Sequence, residues 1–389
     1  MESLTVTVLF AIDLPDELRR WFDARLAELN DELSGPGAVR PQREEFRQDA
    51  SAPGDGAPNG IAPGAGDACV APPGIRALYA SPDGGTDWAS SDAAKHAAEA
   101  DIVVGWRCTK EFLETAKRLK LWIFPGVGVQ RLVPLFRDMP EERRPVLCNC
   151  HGNTYATAQH AVALLLALTN KLILHHNWLA AGQWRKGDAD AMSITLRQRR
   201  IGLLGYGKVN EKVHRFLSGF DVEFNVLRRN PGKGQFALPV SAEYGPDRTG
   251  ELMQASDIVM TALPETPHTI GIVGAPELAA LGPDGLMVNV GRGPVIDEVA
   301  LYRALSDGVI AGAAIDVWYD YRPEPDADGR KYPWAPEHPF HKLDNIVLSP
   351  HRAASPIFAP GRWEEVLDLI KRKIEGRELV NVIDLEAGY

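Results

Sequence analysis

The chain has 389 residues, of which 45% are hydrophobic and 24% charged, ordinary values for a soluble globular protein with room for two domains. Its formal net charge of -10 excludes a surface that attracts nucleic acid or anionic membranes as a whole. A small anionic substrate is still compatible with this charge, because a single arginine can bind one.

The cysteines and the apolar runs indicate the cellular compartment of the protein. The four cysteines are too few for a disulfide framework, so we expect buried free thiols. The C-x-C-H pattern of Cys148, Cys150 and His151 lacks both the spacing of a zinc site and a second ligand pair, so no metal is expected. No basic and apolar leader opens the chain, and the longest apolar run, around 161–168, is too short to span a membrane. We therefore expect a cytoplasmic protein whose partners are neither membranes nor nucleic acids.

The first part of the chain alternates apolar strands with amphipathic helices, a rhythm that predicts a parallel α/β layer. Strands are predicted over 5–10, 75–79, 101–105 and 121–124, and helices over about 15–29, 93–99 and 112–119. Between about 34 and 73 the chain is rich in Gly, Pro, Ala and Asp and poor in large apolar residues. Such a stretch cannot bury a core, so we expect an extended or disordered insert there.

A second α/β series follows this first one. It opens with a long apolar helix predicted over 153–174. Later apolar runs predict strands over 200–204, 222–227, 258–260, 286–290, 313–317 and 346–348, with a last helix over 363–374.

A glycine-rich turn follows the first strand of the second series. Gly205 allows a tight turn, and Gly207 lets the backbone approach a pyrophosphate, which would sit at the start of the helix beside Lys208 and Val209. Asn210 stands where the dinucleotide fingerprint has its third glycine, a position that serves helix–strand packing. The pattern is weak by itself, but a strand before it and a helix after it favour a dinucleotide site.

The next strand ends in two arginines, Arg228 and Arg229. Folds that bind NAD place a carboxylate here for the ribose diol, whereas guanidinium groups pair with a 2′-phosphate. We therefore predict a preference for NADP(H), with NAD(H) as the alternative.

Three later strands end in residues that suit chemistry at a carbonyl: Arg292, then Asp316 followed by Glu324, and finally His351. In an open α/β sheet, ligands bind outside the carboxyl ends of the strands. A histidine can give or take the proton, a carboxylate can orient its ring, and an arginine can clamp an anionic substrate while polarising the carbonyl. These residues together predict hydride transfer on a small anion.

The chain resembles the D-isomer-specific 2-hydroxyacid dehydrogenases, which include phosphoglycerate dehydrogenase, glyoxylate/hydroxypyruvate reductase, formate dehydrogenase and phosphite dehydrogenase. The matching segments include GLLGYGKVN (202–210), VNVGRGPVIDEVALYRAL (288–305), GAAIDVW (312–318) and LSPHRAA (348–354). The resemblance covers nearly everything after about residue 75. It implies an α/β fold with two Rossmann-like, doubly wound domains and an active-site cleft between them. A flavodoxin-like substrate domain would comprise 1–151 and 352–389, and a dinucleotide-binding domain 152–351.

The resemblance also implies roles for individual residues. Arg292, Glu324 and His351 look like the catalytic set of the family, and the backbone of Val127 and Gly128 looks like the loop that receives the substrate carboxylate. Further cofactor contacts would come from Pro264, Val290, Asp316, Arg292 and His351, with Asp316 near the nicotinamide amide. The long helix from Asn153 resembles the dimerisation region of the family, so a homodimer is expected, and the D stereochemistry follows from the resemblance alone.

The chain departs from the family where the acid should be. The stretch from Trp318 to Asp344 is longer than usual, so Asp320 is an alternative to Glu324 as the carboxylate partner of His351. The insert at about 34–73 has no counterpart in the family.

Two other functions stay open at this point. A phosphite or phosphonate could replace the hydroxy acid, depending on cleft residues such as Trp106, Arg107 and Trp318. A binding protein that senses the dinucleotide, like the C-terminal-binding-protein corepressors, is the alternative of another class.

Overall fold

The computed structural model describes residues 5–34, 74–81, 91–185, 191–354 and 360–389. From residue 35 on, the insert expected at about 34–73 lies outside these ranges. The contacts divide the chain into two compact units. Unit 1 comprises Met1–Cys150 and Trp363–Glu386, and unit 2 comprises His151–Arg362 and Ala387–Tyr389. The boundary expected at residue 352 thus falls inside unit 2.

Unit 1 is built on a five-stranded sheet of order β2-β1-β3-β4-β5, in which every pairing is parallel. This is the flavodoxin-like order. Its strands are β1 (Thr5–Ala11), β2 (Gly74–Ala80), β3 (Ile102–Gly105), β4 (Leu121–Phe124) and β5 (Val146–Asn149). Its helices are α1 (Asp16–Ser34), α2 (Asp92–Lys95), α3 (Lys110–Thr115), α4 (Val133–Arg137) and the part of α11 (Pro360–Glu375) that follows Arg362.

Helix spacing in the sequence explains how the core of unit 1 closes. Leu18, Phe22, Leu26 and Leu29 of α1 recur on one face and are buried, as expected for an amphipathic helix that packs on a sheet. They share a core with Trp363 of α11, so the end of the chain returns to the sheet formed by its beginning.

The cysteines considered as metal ligands belong to this core. Cys148 and Cys150 are buried, and burial raises the pKa of the Cys148 thiol to about 12. Among the described residues, no group of three or more His, Cys, Asp or Glu side chains is arranged to hold a metal ion.

Unit 2 is built on a seven-stranded sheet of order β12-β11-β10-β9-β6-β7-β8, again parallel throughout. Counted from β6, this is the Rossmann order with one further strand at the edge. Its strands are β6 (Arg200–Leu204), β7 (Glu223–Leu227), β8 (Ala242–Tyr244), β9 (Ile258–Thr261), β10 (Leu286–Asn289), β11 (Gly312–Ile315) and β12 (Ile346–Leu348). Its helices are α5 (Thr154–Thr169), α6 (Leu172–Ala180), α7 (Lys208–Leu217), α8 (Thr249–Gln254), α9 (Ala275–Leu281) and α10 (Glu298–Ser306). The α/β class with two parallel sheets is confirmed.

One expected helix is wrong in detail. The apolar pattern over 153–174 forms two helices, α5 and α6, with Lys171 between them in the left-handed conformation (φ 52°). In the described part of the chain no single helix is long and apolar enough to cross a membrane. Together α5 and α6 meet the length and composition needed, but they are bent by 63° at the break. Leu164, Leu165 and Leu168 of α5 are buried in the core of unit 2.

Candidate active site

The turn between β6 and α7 fits the pyrophosphate of a dinucleotide. Gly205 has φ +86°, and a Cβ there would lie 2.6 Å from Leu263 Cδ2, so the position requires glycine. Around Gly207 the space for a Cβ is open within 4 Å, and no side chain caps the start of α7. The amides of the first helical turn, beside Lys208 and Val209, are therefore available to an anion.

Asn210 fastens this turn to the sheet. Its Nδ2 donates hydrogen bonds to the carbonyl oxygens of Gly205 (2.7 Å) and Met260 (3.0 Å), and the residue is buried. The bonds join α7 to the ends of both β6 and β9. An amide thus does the packing work that the fingerprint assigns to a third glycine.

The two arginines after β7 differ in their surroundings. Arg228 lies over the Phe236 ring (4.4 Å) and donates to the Lys233 carbonyl (2.6 Å) and to Glu243. Hydrogen bonding to Arg228 lowers the pKa of Glu243, so a carboxylate compensates the charge of Arg228. Arg229 is exposed, and its Nη1 donates only to a neutral group, the Tyr389 hydroxyl (2.9 Å), among the described residues.

Arg292 is held by a turn at the end of β10. Asn289 accepts from the amide of Gly291 (3.0 Å) and donates to the carbonyl of Arg292 (3.0 Å). A Cβ on Gly293 would lie 2.2 Å from the carbonyl oxygen of Trp318, so only glycine permits this approach. The turn therefore brings Arg292 beside the chain that follows β11.

The Arg292 guanidinium is partly removed from water. Desolvation lowers its pKa, while Tyr321 and Glu265 act in the opposite direction. Its Nη1 donates to the Gly291 carbonyl (2.7 Å). The guanidinium keeps further N–H donors. Its positive charge at this edge of the sheet suits a small anion.

His351 sits on a turn after β12 in the left-handed conformation (φ 56°), which is uncommon for a residue with a Cβ. Asp316 at the end of β11 accepts hydrogen bonds from the amides of Arg352 (2.7 Å) and Ala353 (3.0 Å) and from the Ser349 hydroxyl. We call this set the Asp316 clamp. It holds the Ser349 side chain before His351 and the backbone amides of the two residues after it.

The Asp316 clamp extends to α5. The Ser349 hydroxyl gives its proton to Asp316, so His160 Nε2 is the donor in the 2.9 Å contact with Ser349 Oγ; His160 Nε2 is also 3.5 Å from Asp316 Oδ1. Burial alone would raise the pKa of Asp316, but hydrogen bonds from His160, Ser349 and the two amides lower it overall. The carboxylate, expected near the nicotinamide amide, is fully buried and used to hold the turn. Sequence reasoning missed His160 and Ser349, since no pattern along the chain shows that either one meets Asp316.

Around His351 lie two further side chains of unit 2. Its ring packs edge-on against the Tyr321 ring at 5.3 Å. Desolvation and the nearby charge of Arg292 lower the pKa of His351, opposed by Asp316. Arg292, Tyr321 and His351 together are called the Arg–His–Tyr cluster. They follow β10, β11 and β12, so they share one edge of the sheet.

The two acids proposed as partners of His351 are both exposed. Asp320 accepts from the Arg322 amide (2.7 Å), and Glu324 forms no hydrogen bond or ion pair with the described residues. The segment that carries them is fastened elsewhere, because the amides of Tyr319 and Asp320 donate to the Pro333 carbonyl. The structure therefore brings neither acid to His351, and the assignment stays a prediction.

Trp318, expected among the cleft residues, is a core residue of unit 2. It is buried, packs on Trp334 (4.7 Å) and Phe340 (5.9 Å), and donates from Nε1 to the Ser349 carbonyl (2.8 Å).

Two of the expected cofactor contacts follow β9, the strand beside β6, and β10, the strand next to β9. The Pro264 carbonyl, after β9, accepts from the Thr269 hydroxyl (2.6 Å). Val290, after β10, is buried and donates from its amide to the Thr261 carbonyl (3.1 Å).

The loop expected to receive a substrate carboxylate follows β4 in unit 1. Asn149 Nδ2 donates to the Val127 carbonyl (2.9 Å), and a Cβ on Gly126 would lie 2.8 Å from the Trp106 ring. Within the described ranges the amides of Val127 and Gly128 make no hydrogen bond, so both are free to bind an anion. Arg107, beyond β3, is exposed.

Known proteins resemble the chain in sequence. Residues 162–353 match the model of the NAD binding domain of D-isomer specific 2-hydroxyacid dehydrogenases. A D-3-phosphoglycerate dehydrogenase from Archaeoglobus fulgidus is 33% identical over 249 residues, 63% of this chain. That match spans only 43% of the archaeal protein. A glyoxylate reductase from Pyrococcus furiosus is 31% identical over 276 residues, which cover 69% of this chain and 75% of that enzyme.

Solved structures resemble it in fold. A 2-hydroxyacid dehydrogenase from Ketogulonicigenium vulgare gives a TM-score of 0.66 at 21% identity, covering 98% of this chain and 99% of that one. An NADPH-dependent glyoxylate/hydroxypyruvate reductase from Sinorhizobium meliloti, in complex with NADP and malonate, gives 0.64 at 22% identity, covering 98% of each chain.

The sequence match to the Pyrococcus enzyme over three quarters of its length decides the relationship, and the turn after β6 supplies the dinucleotide site that such a relationship requires. The chain belongs to the D-isomer-specific 2-hydroxyacid dehydrogenases, a family of NAD(P)-dependent oxidoreductases.

Proposed function

We propose that this protein transfers a hydride between the nicotinamide of NADP(H) and a small D-2-hydroxy acid or its 2-keto acid. The observation that carries the proposal is the pairing of Arg292 with His351 at the carboxyl edge of the sheet whose β6–α7 turn fits a pyrophosphate. An anion clamp and a proton donor at that edge are what reduction of a keto acid needs.

When bound, the reduced nicotinamide supplies the hydride, and the side chains supply the rest. Arg292 holds the substrate carboxylate and polarises the keto oxygen. His351 gives its proton to the oxygen as negative charge develops there, and takes it back in the oxidation direction. Desolvation and, after it, the charge of Arg292 lower the pKa of His351. An anion bound at Arg292 offsets that charge, so substrate binding favours the protonated ring.

The amides of Val127 and Gly128 are proposed as further donors to the substrate carboxylate. Their support is the resemblance to the family and the absence of another hydrogen-bond partner for either amide among the described residues. Glu324 is the proposed carboxylate partner of His351, with Asp320 as the alternative.

The preference for NADP(H) is proposed to rest on Arg229. Arg228 already pairs with Glu243, while Arg229 is exposed and bonded only to a neutral hydroxyl among the described residues. The reductase of known structure from Sinorhizobium meliloti is NADPH-dependent and was solved with NADP, which supports this assignment by analogy.

A homodimer is proposed from the surface of α6 and the residues that follow it. Leu172 is 58% exposed and Trp184 78% exposed, and exposed apolar side chains gathered in one region favour a protein interface. The resemblance to the family selects a second copy as the occupant. Light scattering should report twice the chain mass, and Leu172→Asp should shift it toward the monomer. The buried free thiols suit a reducing cytoplasm, which cell fractionation can test.

The direct test is a substrate panel run with NADPH and with NADH. It should contain glyoxylate, hydroxypyruvate, pyruvate, branched and aromatic 2-keto acids, phosphonopyruvate and, in the oxidation direction, phosphite. Turnover of a 2-keto acid supports the proposal. Turnover of the phosphorus compounds alone would reassign the substrate, and no turnover at all would favour a protein that binds the dinucleotide as a signal.

A further inference from the structure

We propose that Tyr321 is a substrate-binding residue whose hydroxyl donates a hydrogen bond to the carboxylate of the bound acid. The inference rests on the proposed function and names an additional determinant of the same site. Its basis is the place of Tyr321 in the Arg–His–Tyr cluster, between a cation and the proton donor.

The ring of Tyr321 is fixed in that place by contacts on two sides. It packs edge-on against His351 at 5.3 Å with an interplanar angle of 64°. Its hydroxyl oxygen accepts the amide N–H of Trp318 at 3.3 Å, and the position of Trp318 is in turn set by its packing in the core. The hydroxyl is therefore anchored through its oxygen.

This anchoring leaves the proton of the phenol available. An oxygen that accepts one hydrogen bond can still donate its own O–H, and among the described residues the Tyr321 hydroxyl donates to none. The side chain is 48% exposed, so a ligand can reach it. The phenol also interacts electrostatically with Arg292, so a cation lies near this donor.

The chemistry of that region selects an anion as the ligand. Burial raises the pKa of Tyr321, so the group stays protonated at neutral pH and acts as a donor. The carboxylate of Asp316 is fully buried and already accepts four hydrogen bonds or close contacts in the Asp316 clamp. A substrate carboxylate can therefore take one bond from Arg292 and one from Tyr321 without meeting an uncompensated negative charge from that side.

Tyr321→Phe is the test, because it keeps the ring against His351 and removes only the hydroxyl. A hydrogen bond to a charged group is worth about tenfold in affinity or more. We expect KM for the best 2-keto acid to rise about tenfold while kcat changes less than about twofold. Calorimetry with oxalate, on the complex with NADP, should show the same loss of affinity, and the melting temperature should be unchanged.

Tyr332→Phe is the matched control. It makes the same chemical change on the same segment, but Tyr332 stacks on His341 at 4.2 Å and does not belong to the cluster. Its KM and its affinity for oxalate should equal those of the wild type.

Unchanged KM and unchanged oxalate affinity in Tyr321→Phe would refute the inference, as would a loss confined to kcat. The failure of the proposed function looks different. A wild-type enzyme that turns over no 2-keto acid, yet binds oxalate in a manner that depends on Tyr321, would refute the reaction and uphold the site.

Discussion

The turn that carries His351 and the segment that carries Glu324 border the same edge of unit 2 but are held in opposite ways. The turn is fixed by a buried carboxylate that accepts bonds from the residues on both sides of the histidine. The segment over 320–326 is exposed and fastened at a distance, by aromatic packing and by the Pro333 carbonyl. His351, the proposed proton donor, is thus carried by a turn with buried contacts, while the two proposed acids lie on an exposed segment.

This contrast predicts that substitutions on the turn lower the activity most. His351→Asn should lower kcat by about a thousandfold, because asparagine tolerates the left-handed backbone but cannot transfer the proton. Steady-state rates with saturating cofactor measure the loss. His341→Asn, on a ring that stacks on Tyr332 and does not belong to the cluster, is the control and should keep most of the activity. Equal losses in both variants would contradict the role of His351.

Breaking the clamp should come next. Asp316→Asn cannot accept both amides and the Ser349 hydroxyl as a carboxylate does, so His351 loses its fixed position, and kcat should fall about a hundredfold. The folded protein lowers the pKa of Asp316 below its ordinary value of 3.8. The ionised carboxylate of Asp316 therefore stabilises the fold at neutral pH, and this stabilisation is lost as the pH falls below 3.8 and through the lowered pKa.

Thermal unfolding measured from pH 7 to pH 3 reports the effect of Asp316 on stability separately from its effect on kcat. The wild type should lose part of its melting temperature at the acid end, and Asp316→Asn should show less of this acid-dependent loss. A variant that unfolds like the wild type at every pH would show that the clamp is not needed.

The arginines after β7 test whether Arg228, which pairs with Glu243, and Arg229, which has no acidic partner among the described residues, differ in their effect on cofactor preference. Arg229→Ser should lower the ratio of kcat/KM for NADPH to that for NADH by about thirtyfold, since a bidentate bond to the 2′-phosphate is lost. Arg228→Ser is the matched control and should change that ratio less, because its partner is Glu243. The reverse order would assign the 2′-phosphate to Arg228.

The smallest effect is expected on the exposed segment. Glu324→Gln should lower kcat by about tenfold and shift the acid limb of the pH profile, because the carboxylate that favours the protonated ring of His351 is lost. Asp320→Asn should leave the profile unchanged. If only Asp320→Asn shifts it, Asp320 is the partner.

Sequence patterns predicted the strands and turns that depend on residues close together along the chain. The apolar runs marked β6 and β10, and the glycines and the arginine that follow them were identified from their spacing alone. Two short strands, β5 and β8, were missed. Strand β8 is a partly exposed edge strand of three residues without an apolar run. The break at Lys171 was missed because no glycine or proline marks it.

What the sequence could not predict depends on contacts between distant segments. Tyr321 packs against His351, and Gly293 lets the backbone after β11 approach the turn after β10; no local pattern reports either contact. His160 meets Ser349 across 189 positions of the chain, a contact that the local sequence around either residue does not report.

The left-handed backbone at His351 also means that opening of this turn can be measured. A non-glycine residue in that conformation costs about 1–2 kcal/mol, which the amides of Arg352 and Ala353 offset through Asp316. These two amides should exchange with solvent deuterium only when the turn opens. Their exchange rates would therefore measure the fraction of molecules in which the proton donor is out of place, before any change in the sheet can be seen.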